Sequence, residues 1–123
     1  MLFRSIGPEN IDYINAHGTG TKNNDLSEGR AVERVFGKEV PPISSTKSLT
    51  GHTLGAAGAV EAVFSLLAIE NNSIWPNRPL SAKMTELDFE PVSRIMTDVI
   101  LKNVLSNSFG FGGNNTSLIF SKC

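Results

Sequence analysis

Glycine gathers at three places in this chain, and their placement limits the fold more than any other feature. Most of the eleven glycines fall in Gly18-Thr19-Gly20, between Gly51 and Gly58, and between Gly110 and Gly113. Glycine serves where backbone must approach a neighbour closely or take positive φ. The first two clusters follow strand-like segments, and the third separates two of them. Backbone-lined binding surfaces at strand ends are the expectation.

The pattern between the clusters reads as alternating strands and helices. Residues 11–16, with Ile11, Tyr13 and Ile14, predict a short buried strand running into a loop over 17–21. Asn23, Asn24 and Asp25 offer helix caps, and Asp25 with Glu28 has capping-box spacing. A helix is expected from there to about Phe36, with Leu26, Val32, Val35 and Phe36 near one face and Gly37 as its stop. Pro41-Pro42 breaks the chain before a short strand over 43–46. A glycine-bearing loop over 49–52 then leads into a mostly buried helix over about 55–70. That helix carries a small stripe of Gly55, Gly58, Ala59 and Ala62 and a bulky one of Val60, Val63, Phe64 and Leu67. Residues 71–91, with Pro76, Pro79 and Pro91, read as an irregular connection. Runs over 103–109 and 116–120, joined by the Gly110 to Asn114 turn, predict a hairpin. The order implies one α/β domain with a mixed sheet.

Composition removes several classes of function. The chain has 123 residues, 40% hydrophobic and 19% charged, which is enough apolar surface for a core and argues against disorder. Eleven basic against twelve acidic residues, with no basic stripe, disfavours nucleic acid as a partner. The one cysteine, Cys123, permits neither an internal disulfide nor a cysteine metal site. Met1 to Ser5 is too polar for a signal peptide, and the apolar stretch 54–69, interrupted by Glu61, falls short of a membrane span. A soluble cytoplasmic protein with no membrane partner is expected.

Both histidines stand just after strand-like segments. In an open α/β sheet, ligands bind beyond the carboxyl ends of the strands, so His17 and His52 are expected to share one edge. One such histidine alone reads as a loop residue satisfied by a carbonyl; two at equivalent strand ends point to a shared site. His52, at the expected N-terminus of the 55–70 helix, is placed to donate a hydrogen bond to a developing anion. Glu61 is the lone acid in an apolar helix and needs a partner if buried; Lys47 is the nearest plausible cation. Thr19 and Thr21 offer hydroxyls to a ligand or to a turn. The Gly18 loop lacks the spacing of a phosphate loop, so nucleotide binding is a weak rival reading. Phe111, flanked by Gly110 and Gly112, suits a gate or an oxyanion donor as well as a core filler.

Three strings, in this order, closely resemble the C-terminal part of the β-ketoacyl-acyl carrier protein synthases. They are Asn15-Ala16-His17-Gly18-Thr19-Gly20-Thr21; Ser45 to His52 running into Gly55-Ala56-Ala57-Gly58-Ala59-Val60-Glu61; and Asn107-Ser108-Phe109-Gly110-Phe111-Gly112-Gly113. The resemblance covers about residues 11–122. It implies a thiolase-like fold, of which residues 1–123 form the C-terminal half of a layered αβαβα body with a mixed sheet and a buried helix. The family's reaction is a decarboxylative Claisen condensation of an acyl thioester with malonyl-acyl carrier protein, within fatty acid or polyketide synthesis. By resemblance, His17 and His52 match the catalytic histidines and Lys47 the active-site lysine. Glu61 matches the acid near that lysine, and Thr19 and Thr21 match contacts to the pantetheine arm. Phe111, with Gly112, matches the gate and oxyanion loop. No cofactor or metal is implied, since substrates ride on the phosphopantetheine of the carrier protein.

The nucleophilic cysteine has no counterpart here: it belongs to the family's N-terminal half. The chain alone is therefore expected to be inactive and to need that complementary half, with acyl carrier protein as partner and a homodimer as the full-length state. Gly20 stands where serine is common in the family, and Asn114 where threonine is usual. The alternative is a non-catalytic partner subunit that shapes the product channel; retention of both histidines weighs against it.

Overall fold

A computed structural model describes residues 6–77 and 84–123. A four-stranded mixed sheet has the order β2-β1-β3-β4. Its strands are β1 (Tyr13–Asn15), β2 (Ile43–Ser44), β3 (Asn103–Phe109) and β4 (Asn115–Ser121). β1 runs parallel to β2 and β3, and β4 runs antiparallel to β3. Two long helices, α1 (Lys22–Phe36) and α3 (Ala57–Asn71), and the one-turn α2 (Lys47–Thr50) complete the fold.

β1 is central because both of its faces are apolar, as a strand covered on two sides requires. Tyr13 faces α3, in a cluster with Ala68, Ile69, Ile74, Leu101 and Val104. Ile14 faces the opposite way, joining Val32, Ile43, Phe36 and Leu105 on the α1 side. The period of two thus splits the core into two layers, one on each side of the sheet. Asn15 returns to the α3 face, where its amide donates to the Glu61 carbonyl at 3.1 Å. β4 is exposed along its length apart from Phe120.

Several boundaries differ from those the sequence implies. α1 starts at Lys22, with Thr21 in the cap position and no side-chain cap bond; Glu28, taken for a capping partner, is instead buried against the loop before the helix. Val35, expected on the core face, is exposed. Lys47 begins α2 rather than ending a strand, because Ser45 Oγ and the 46–51 backbone bonds turn the chain at once. α3 begins only at Ala57, after a 3-10 turn at Leu54–Ala56, so His52 does not cap it.

α3 is buried on one face only. The buried face is Ala57, Glu61, Ser65, Ala68 and Ile69. Val63, Leu66 and Leu67 of the expected bulky stripe and its neighbourhood lie outward. Of the small stripe, Gly58 packs closest on the sheet: a Cβ there would come 3.1 Å from Ser108 Oγ. The stretch Leu54–Asn71 has 18 residues and, contrary to the expectation of falling short, is long and apolar enough to cross a membrane by those measures alone. The 3-10 turn adds the missing length. Its inner face, carrying the buried Glu61, packs against the sheet, while most of the stretch faces outward. From the 71–91 connection, Ile74 forms an isolated bridge with Met96, and just beyond the connection the Val92 N–H donates to the Ile43 carbonyl. Pro79 and the Met1 to Ser5 segment lie outside the described residues.

Candidate functional site

The loops after β1 and α2 bring the two histidines together. Their rings meet edge to face, with centroids 5.6 Å apart. His17 is 6% exposed, while His52 is open to solvent. Each ring has its Nδ1 occupied. Lys47 Nζ lies 3.3 Å from His17 Nδ1, and an ammonium only donates, so that nitrogen accepts. The Leu54 amide donates to His52 Nδ1 at 3.1 Å. In both rings the proton is thereby assigned to Nε2, leaving two imidazole N–H donors free of the scaffold.

Burial pulls the His17 pKa down to about 4, assisted by the Lys47 and His52 charges. The ring is neutral at pH 7. Behind it, the Lys47 ammonium pairs with the Glu61 carboxylate, both side chains nearly fully buried. Ser108 Oγ donates to the other Glu61 oxygen at 3.3 Å. Lys47 and Glu61 thus compensate each other's desolvation, and Lys47 fixes the ring of His17 from a site that water does not reach.

Sequence reasoning assigned no site role to three contributors. Glu28 accepts the backbone N–H groups of His17 and Gly18, both at 2.9 Å, and the Asn107 amide at 3.2 Å. Burial raises its pKa nevertheless, outweighing these three bonds. Ser108 holds Glu61. The ring against His17 is Phe109, at 5.5 Å. Asn107, Ser108 and Phe109 lay within a quoted string, but only strand alternation across β3 shows which helix each one faces. For Glu28, an acid about two helical turns from the loop was the available signal.

The remaining expected residues are arranged less tightly. Thr19 and Thr21 pair their hydroxyls at 2.9 Å in the exposed loop after His17. Phe111 is wholly exposed at the tip of the β3–β4 turn. That turn is closed by Gly110 N–H on the Asn114 carbonyl at 2.8 Å, and Gly112 sits at φ 87°. Among the described residues no group of three or more His, Cys, Asp or Glu side chains is placed to hold a metal.

Two imidazoles meeting edge to face beside a buried Lys47–Glu61 pair make this edge of the sheet the candidate site. Residues 4–81 match the family described as "Beta-ketoacyl synthase, C-terminal domain", and the chain belongs to that family. It is 48% identical over 117 residues to the 3-oxoacyl-[acyl-carrier-protein] synthase 1 of Haemophilus influenzae, covering 91% of this chain and 28% of that protein. It is 46% identical to the synthase 2 of Coxiella burnetii, covering 95% and 29%. Among solved structures it is similar to a β-ketoacyl synthase from Burkholderia phymatum (TM-score 0.87, 40% identity, 94% of this chain and 28% of the other). It is also similar to a chain of a type II polyketide ketosynthase in complex with its acyl-carrier protein (TM-score 0.90, 32% identity, 96% and 29%). The fold is thiolase-like. The chain spans under a third of the length of these relatives.

Proposed function

We propose that this chain supplies the decarboxylation half of a condensing site. A malonyl thioester on acyl carrier protein binds with its thioester oxygen toward His17 and His52. The C–C bond to the carboxylate breaks and CO2 leaves. The electron pair moves into the thioester carbonyl, and the Nε2–H groups stabilise the enolate oxygen. The enolate carbon then attacks an acyl group held as a thioester on a cysteine outside residues 1–123. A C–C bond forms, the acyl C–S bond breaks, and the cysteine thiolate is released.

The observation that supports this reading is the matched protonation of the two rings, each with Nδ1 occupied. Lys47 and Glu61 position His17. Thr19 and Thr21 contact the pantetheine arm, and Phe111 with Gly112 gates the acyl-cysteine and offers a backbone N–H. The outward Val63, Leu66 and Leu67 form part of the surface that a complementary N-terminal half covers. The reading carries no resident cofactor, a cytoplasmic setting, and a homodimer as the full-length state. The acyl-carrier protein seen with the polyketide ketosynthase supports the same kind of partner here.

The test fuses the chain behind the preceding segment of the Haemophilus influenzae relative and measures CO2 release from malonyl-acyl carrier protein. His17→Ala and His52→Ala are each expected to slow release by about 10²–10³-fold. Unchanged release in both variants would overturn the reading in favour of a non-catalytic partner subunit. The chain without the added segment is expected to condense nothing.

A further inference from the structure

We infer that Asn77 is a positioning residue for His17 and Lys47, and that it acts through Ser45. The inference rests on the proposed role of His17 as an Nε2–H donor to the enolate oxygen. β2 has only two residues and lies at an edge of the sheet. The Ala16 N–H donates to the Ser44 carbonyl, so Ser44 turns its backbone toward β1. Backbone groups alternate in direction along a strand, so Ile43 and Ser45 turn theirs to the open side. There the Ile43 carbonyl accepts the Val92 N–H at 2.8 Å, and the Ser45 N–H donates to Asn77 Oδ1 at 2.5 Å. Ser45 is 4% exposed, so the acceptor for its N–H must come from the protein. The Asn77 carboxamide does what a further strand would do.

The carboxamide is itself held in place. The Asn77 N–H donates to the Val92 carbonyl at 2.8 Å, and Val92 is tied in turn to Ile43, so both ends of the contact share one anchor. Ser45, which Asn77 holds, is the hub between the two segments that carry the site. Its hydroxyl donates to the Gly18 carbonyl at 3.0 Å, directly after His17, and accepts the Lys47 N–H at 3.3 Å. Those two backbones carry the side chains whose ends meet as Lys47 Nζ and His17 Nδ1, also at 3.3 Å. The contact thus closes a ring through Ser45, and its length depends on where Ser45 sits. Without the Asn77 acceptor, the Ser45 N–H is left to seek water, and the end of β2 is drawn outward from the His17 loop. The Lys47 ammonium then no longer faces Nδ1 squarely, and His17 loses the partner that keeps its proton on Nε2. Asn77 acts at two removes from the ring, by placement alone.

The test reads the bond, the ring and the reaction in turn. In the isotope-labelled 123-residue chain, a through-hydrogen-bond coupling is expected between the Ser45 amide nitrogen and the Asn77 side-chain carbonyl carbon. The His17 ring nitrogens are expected to show the Nε2–H pattern. Asn77→Leu, similar in size but with no acceptor, is expected to mix the His17 tautomers. In the fused protein it is expected to lower kcat for CO2 release on the order of 10-fold at unchanged KM. Asn77→Asp, which keeps the acceptor, is expected to regain both readouts. Ser45→Ala, which removes the hub hydroxyl, is expected to reproduce both losses, and Asn77→Leu added to it to deepen neither. No coupling in the unaltered chain, an unchanged ring and kcat in Asn77→Leu, failure of Asn77→Asp to recover them, or additive losses in the double variant would each overturn the inference. Should Asn77→Leu fail to fold, Asn77→Ala deletes the same acceptor at this half-buried position and replaces it in every comparison. If the fused protein releases no CO2 while the His17 ring still follows Asn77, the proposed function falls and the placement of His17 by Asn77 stands.

Discussion

Lys47 and Glu61 form an ion pair beneath His17, with side chains 5% and 2% exposed. Neither can be removed alone without stranding the other's charge in the interior. Lys47→Ala is expected to cost about 3–5 kcal/mol in urea unfolding. The double variant Lys47→Met with Glu61→Leu is expected to recover much of that loss, since it removes both desolvation penalties. A double variant as unstable as the single one would show that the pair contributes beyond compensating itself.

His17 makes stability depend on mild acid. Its folded pKa, about 4, lies below the ordinary 6.5. Between those values the unfolded chain takes up a proton that the folded chain refuses, so stability is complete above pH 6.5 and falls as pH drops toward 4. Glu28 works in the opposite sense: its raised pKa adds stability at low pH that is lost as pH rises through the region above 4.5. Urea midpoints compared between the unaltered chain and His17→Gln isolate the histidine. The variant is expected to show a flatter profile between pH 6.5 and 4.

Tyr13 gives a second handle at alkaline pH. Burial pushes its phenol up to about 12, against the lowering effect of the Ser44 hydrogen bond. The unfolded phenol ionises near 10, so stability falls as pH rises from about 10 toward 12. It is the only tyrosine. Its phenolate absorbance, followed in the native chain, is expected to appear near 12 and to move to about 10 in denaturant.

The turn after β1 tolerates no side chain at Gly18. Gly18 sits at φ 38°, and a Cβ there would lie 2.5 Å from Ser45 Cβ. Ser45 cannot easily retreat, because its hydroxyl bonds the Gly18 carbonyl at 3.0 Å. Gly18→Ala is expected to lose at least ~2 kcal/mol by thermal or urea unfolding. Glu28→Ala, which leaves the His17 and Gly18 N–H groups without their acceptor, is expected to cost about 1–3 kcal/mol for each. Either change should broaden or shift the His17 ring resonances, since this turn carries the ring.

Much of this architecture was legible in the residues. The alternation of Tyr13 and Ile14, the stop at Gly37 and the glycine turn after Phe109 report local propensity and period, which require no partner. The pairing of Glu61 with Lys47 was legible as well, because a charge in an apolar helix demands compensation. The start of α3 was not: Gly55 and Ala56 continue the helical pattern in sequence but form a 3-10 turn with the left-handed Leu54, so the α-helix begins two residues later, at Ala57. Glu28 looked like half of a capping box because spacing alone does not reveal that its carboxylate turns back to the β1 loop.

Alone, the order of residues determined a mixed α/β sheet, two histidines in glycine-bearing loops, the first at a strand end, and a buried acid in search of a cation, since each follows from periodicity, chain punctuation or the cost of burying charge. Tertiary structure decided the tautomers of those histidines, the protonation of His17 and the orientation of Glu28. These depend on the distance and burial of groups far apart along the chain, and no spacing in one dimension encodes them.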